Sequence, residues 1–240
     1  DEEADRIERE LHKVNRGLTY ELGRISQSSS RNSHAVKKKA HPSSSDGREI
    51  HHLIISADGR LECFNAVLSL IRAAPTTGAL VDNWLFTAFR DRRPNASDIS
   101  ISLSDCPSYP ADWIRYALTG SDPDEHRDRV GICLFFDEVG NFDEMDEEQK
   151  RFLSTIGFLY LDHILGEYDV EVHVGGVDFR TQREGRGMLG ERRWRHVTHP
   201  IAQLGCNFDE RLAEKVGRSR PEGGWSALAD LSRSSDAQMG

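Results

Sequence analysis

From 130 to 136 the chain reads VGICLFF, seven residues without a charge in a sequence where 30% of residues are charged. The run has strand length and falls far short of the roughly 20 apolar residues needed to span a bilayer, so it reads as a central strand. Other segments supply its neighbours. Residues 49–56 (EIHHLIIS) and 84–90 (WLFTAFR) read as strands, and 18–22 and 99–103 alternate as half-buried ones. Tyr168 to Val174 alternates as well, with Val170, Val172 and Val174 on one side and Asp169, Glu171 and His173 on the other. Helical spacing joins Ile7, Leu11 and Val14, then Leu61, Phe64, Val67, Leu68 and Ile71. The strongest helix signal joins Phe152, Ile156, Leu159, Tyr160 and His163 and stops near Gly166, with Asp143 or Asp146 suited to its N-cap. Pro110 predicts a short helix through Trp113 and Leu118, and a last helix is expected over 207–216. Strands and helices mix without strict alternation. The pattern predicts an α+β fold, a mostly antiparallel or mixed sheet with helices packed on it, and its β-α-β units would allow a ferredoxin-like arrangement.

Residues 26–48 are serine-rich, basic and nearly without large apolar groups, so burial there cannot offset the entropy of ordering. They predict a disordered excursion inside a single α+β domain spanning 1–216, followed by a disordered tail at 217–240. The net charge is −9, from 31 basic and 40 acidic residues, but 121–180 alone carries −11 while 26–48 carries +4. A net negative chain repels phosphate backbones, which disfavours nucleic acid as a partner. Four cysteines without a C-x-x-C pair and no visible signal peptide favour a reduced, cytoplasmic protein.

The sharpest chemical constellation is His163, Glu167, His173 and Asp178, with Asp162 beside them. Imidazole and carboxylate together can hold a divalent metal or run acid/base chemistry, and His163 and Glu167 share a helix face at i, i+4. Yet His163 also continues an apolar helix stripe, as a hydrogen-bonded core histidine would. The acidic loop Asp137-Glu138, Asp143-Glu144, Asp146-Glu147-Glu148 lacks EF-hand spacing and suits helix capping instead. Arg192, Arg193 and Arg195 around Trp194, with His196 and His199 as an H-x-x-H pair, could stack on bases, clamp a phosphate or merely neutralise the acidic body. His51 and His52 are adjacent on one strand and point to opposite faces. The turn 56–59 (SADG) places Ser56 or Asp58 to cap the next helix.

Segments 53–59 (LIISADG), 73–75 with 84–90 (AAP and WLFTAFR), 161–171 (LDHILGEYDVE) and 174–180 (VGGVDFR) together resemble an uncharacterised family of bacterial proteins, a domain of unknown function. The resemblance covers roughly 5–205 and implies a bacterial, soluble, α+β protein, with no catalytic residues to carry over. The expected function is a non-catalytic macromolecule-binding or regulatory module that needs no cofactor and meets a protein partner at the acidic surface 121–148. The alternative is a metal-assisted hydrolase using His163, Glu167, His173 and Asp178 with a divalent cation.

Overall fold

The computed structural model describes residues 2–26, 49–78, 82–93, 95, 98–102, 108–120, 128–137 and 142–217. Apart from Ser26 and Gly217, the expected excursion at 26–48 and tail at 217–240 lie outside the described residues. The fold is α+β. Where the sequence reads as one domain, the chain gathers into two compact units that divide between Arg90 and Asp91.

In the first unit, α1 (Glu2–Val14) opens with Glu2, Glu3 and Asp5 and closes with His12 and Lys13, the charge order the helix dipole favours. β1 (Thr19–Ser26) runs antiparallel to β2 (Glu49–Ser56). α2 (Phe64–Ala73) then carries the chain to β3 (Trp84–Ala88), parallel to β2, giving the order β1-β2-β3. The Tyr20 hydroxyl donates to the Ala4 carbonyl (2.9 Å) and ties β1 to α1. As expected of neighbours on a strand, His51 and His52 part: His51 stacks on Trp84 and His52 bonds Thr87 Oγ1 at 2.8 Å. Ser56 Oγ accepts from the Asp58 N–H within the 56–59 turn (3.0 Å), and the residues that stand at the N-cap positions of the next 3₁₀ turn and helix are Arg60 and Cys63, neither of which makes a side-chain cap bond.

The second unit begins with a two-stranded ladder, β4 (Ser100–Ile101) and β5 (Tyr109–Pro110). A four-stranded mixed sheet follows, ordered β8-β7-β6-β9: β6 (Ile114–Gly120), β7 (Val130–Phe136), β8 (Val174–Thr181) and β9 (His199–Pro200). β6 is antiparallel to β7 and β9, whereas β7 and β8 are parallel. The crossover between the parallel pair consists of α3 (Glu147–Leu165) and α4 (Glu167–His173). Each unit thus runs through a hairpin first and one helical crossover afterwards, although no sequence period announces the recurrence. This path is not the β-α-β-β-α-β order of a ferredoxin-like unit.

Why VGICLFF is apolar at every position is visible in the packing. Val130, Ile132, Leu134 and Phe136 join a core with Leu153, Ile156, Tyr160 and Leu161 of α3 and with Phe208 of α7 (Leu204–Val216). Cys133 and Phe135 point the other way, into a smaller cluster with Ala117 and Trp194. Gly157 lets α3 lie close to the sheet, since a Cβ there would press on Phe179 and Leu134. Asp146 caps α3 as the sequence indicates, in a reciprocal box with Gln149.

Two element assignments are corrected. The segment after Pro110 makes only one 3₁₀ turn (Ala111–Trp113) and then strand β6, because Ile114 and Tyr116 alternate into the core while β6 pairs with β7. Residues 168–173 are helix α4, not strand. Gly166, at φ +81°, turns the chain from one helix into the next, and Glu167, Asp169 and Val170 of that helix are buried. The alternating valines suit a strand locally, but tertiary burial overrides that preference.

The Tyr160 side chain is fully buried and its hydroxyl reaches the Ile99 carbonyl (3.0 Å) and the Tyr109 carbonyl (2.6 Å), fastening the β4–β5 region to α3. Tyr160→Phe is expected to cost about 1–3 kcal/mol, because those carbonyls lose their donor where water does not replace it. Urea unfolding should show a lower midpoint at unchanged slope.

Candidate functional site

The four residues of the metal alternative occupy different settings. His163 lies in the last turn of α3, where its carbonyl accepts from the Arg93 N–H (2.7 Å). Glu167 opens α4 and is buried, His173 closes α4, and Asp178 is exposed in β8 opposite Cys133 in register. Among the described residues no three His, Cys, Asp or Glu side chains are grouped as metal ligands. What converges there is an ion-pair clamp. Arg92 donates from Nε to the Leu165 carbonyl (2.8 Å), from Nη1 and Nη2 to Asp209 (both 2.7 Å), and from Nη2 to the buried Asp169 (2.8 Å). His173 stands 3.9 Å from the same Asp169.

Burial lowers the His173 pKa below its ordinary 6.5, against the pull of Asp169 and with help from Arg129. His52 is lowered too, by burial opposed by Glu21. Both therefore favour the neutral form more strongly in the fold than in an unfolded chain, which takes up protons from about pH 6.5 downwards. Their contribution to stability is present above that pH and is lost as pH falls through the lowered folded values. Urea midpoints should drop between pH 7.5 and pH 5, and His173→Gln should flatten part of that slope. An unchanged slope would assign the effect elsewhere.

A cleft in the second unit has a volume of about 420 Å³, within the range of about 300–1,000 Å³ typical of ligand sites. It lies outside the carboxyl ends of the parallel strands, where open sheets of this kind commonly bind ligands. Asp137 follows β7 directly and Gln182 follows β8 directly. Asp112 and Arg115 enter from the start of β6, and Pro200 from β9. The remaining walls come from α5 (Gln182–Leu189) and α6 (Glu191–Val197): Arg186, Glu191, Trp194 and Arg195.

After Phe179 the arginine- and glycine-rich sequence reads as a loop, and the structure corrects it to this pair of helices. Thr181 and Glu184 form a reciprocal capping box that starts α5, a T-x-x-E signal present in the sequence. Burial works against the Glu184 charge, but donors from Thr181, Phe142 and Asp143 hold its pKa below the ordinary value. Gly190, at φ +72°, turns the chain into α6. Gly185 faces the rings of Trp194 and Phe135 so closely that a Cβ would collide with both. Trp194 itself is 3% exposed and meets Phe135 edge-on at 4.8 Å. It is thus a core residue that seats α6 and not a free stacking platform. Cys133 beneath it is a thiol pushed up to about 12, by burial first and by Asp178 second.

The charges in the cleft are arranged unusually. Arg115 donates to Thr198 Oγ1 (3.1 Å) and to the Thr198 carbonyl (2.6 Å). Arg186 lies 5.9 Å over the Trp194 ring and donates to Gln182 Oε1 (3.3 Å). Both guanidinium groups are held by neutral acceptors, so they are positioned without being neutralised. Arg195 pairs with Glu191 (2.7 Å) on the exposed rim. Among the described residues Asp112 and Asp137 form no ion pair, nor do the exposed Arg183, Arg192 and Arg193. Of the two histidines of the H-x-x-H pair, His196 is exposed at the end of α6 and His199 packs on Tyr116.

No family model, curated protein or solved structure matches the chain. No helix among the described residues is long and apolar enough to cross a membrane.

Proposed function

We propose that this chain is a non-catalytic binding module whose recognition site is the cleft between β6, α5 and α6, open to a charged group of a protein partner or ligand. The observation that carries it is the pair Arg115 and Arg186, each fixed in place by neutral acceptors. A guanidinium so held presents its remaining N–H donors to an incoming oxyanion with little ordering left to do. The acidic surface anticipated over 121–148 meets the cleft at Asp137. Residues 121–127 and 138–141 lie outside the described residues, and Asp146, Glu147 and Glu148 already serve the start of α3.

Acetate and inorganic phosphate, titrated at low salt, should shift the NMR signals of the Arg115 and Arg186 side chains and of the Trp194 indole. Arg186→Gln should weaken that response about tenfold or more, the worth of one charged hydrogen bond, and raised salt should weaken it further. Signals that stay unmoved at every anion concentration would remove this reading.

A further inference from the structure

We infer that the cleft takes a dipolar ligand, a small molecule carrying both a carboxylate and a primary ammonium group. The inference rests on the binding function proposed above and narrows it. Six charged residues line the cleft: Arg115, Arg186 and Arg195 against Asp112, Asp137 and Glu191. Arg195 and Glu191 satisfy one another. That leaves two guanidinium groups and two carboxylates, none of which forms an ion pair with another among the described residues.

A site built for a simple anion would not keep Asp112 and Asp137 beside its arginines. Their repulsion opposes the attraction of the arginines. A simple cation meets the mirror-image problem. A ligand with both charges, aligned so that its carboxylate meets Arg115 and Arg186 and its ammonium meets Asp112 and Asp137, gains at both poles. The same arrangement rejects polyanions such as nucleic acids, whose phosphates would face the two aspartates. Volume agrees, since about 420 Å³ accommodates an amino acid or a molecule a few times its size. Rigidity agrees as well, because the positive pole is fixed by Thr198 and Gln182 before any ligand arrives.

The test is calorimetric titration of the full chain with straight-chain ω-amino acids of two to six carbons and with the matched carboxylates lacking the amine. The expected result is that at least one amino acid binds about tenfold or more tightly than its matched carboxylate. Asp112→Asn with Asp137→Asn should abolish that advantage while leaving carboxylate binding intact or stronger. Arg186→Gln should weaken both ligands. Circular dichroism would confirm that the variants fold, and the exposed position of Asp112 makes its substitution the safer of the two. If amino acid and carboxylate bind alike, and the aspartate variants change neither, the dipolar ligand is overturned and the anion-binding reading survives. If neither ligand binds at any chain length, both fall together.

Discussion

Arg92→Ala is expected to destabilise the second unit by about 3–5 kcal/mol, the cost of removing one partner from a buried ion pair. Arg92 is a single junction for three elements: it holds the α3 terminus through the Leu165 carbonyl, α4 through Asp169, and α7 through Asp209. Asp169 has no exposed surface, whereas the Asp209 side chain is 35% exposed. The alanine variant therefore takes the guanidinium away from a carboxylate that water cannot reach, and Asp209→Asn should cost much less. Arg92→Lys should fall between, since an ammonium cannot reproduce the fork that bonds two carboxylates and a carbonyl at once. Urea unfolding of the three variants checks each point. A loss below about 1 kcal/mol for Arg92→Ala would mean that the remaining contacts of Asp169, His173 among them, hold its charge without the guanidinium.

How much of this was written in the sequence depends on how local each determinant is. Strand β7 was legible because it is covered on both faces, so its residues are apolar regardless of register. Helix α3 was legible because its stripe and its Asp146–Gln149 box lie within one segment. The α4 helix was not, because the buried Asp169 is paired with Arg92, seventy-seven positions earlier. A valine alternation with no knowledge of that partner reads as a strand. The α5–α6 pair was hidden by composition, since arginines and glycines resemble loop material until Gly185 is seen as room for Trp194. The sequence singles out Asp137, Trp194 and Arg195, but as parts of an acidic loop and of an arginine cluster. The cleft that unites them with Asp112, Arg115, Gln182 and Arg186 is made by strand pairing across β6, β7 and β8, which spacing along the chain does not encode. Conversely, His163, Glu167, His173 and Asp178 are near in sequence, and a helix end and a strand carry them into separate environments.

Trp194→Ala should be the most damaging single change on the cleft side of the sheet, at about 3–5 kcal/mol for a buried tryptophan. Its ring fills a small cluster with Ala117, Cys133 and Phe135, separate from the main core of the unit. It also lies against Gly185 of α5 and under Arg186. No other buried side chain of α6 anchors that helix, since Trp194 is its one buried residue. Loss of the ring should release α5 and α6 locally before the main core unfolds, because α3, α7 and the opposite sheet face do not depend on it. Trypsin reports this directly: Arg183, Arg186, Arg192, Arg193 and Arg195 are all exposed but lie on helices, which resist cleavage while folded. The variant should be cut in this segment well before the wild type, and hydrogen exchange should speed up there while β7 stays protected. Ligand response at Arg186 should vanish as well, since Gln182 and Trp194 no longer hold its guanidinium in place. If exchange instead rises uniformly across the unit, the smaller cluster is part of one cooperative core, and the cleft cannot open without unfolding the sheet that supports it.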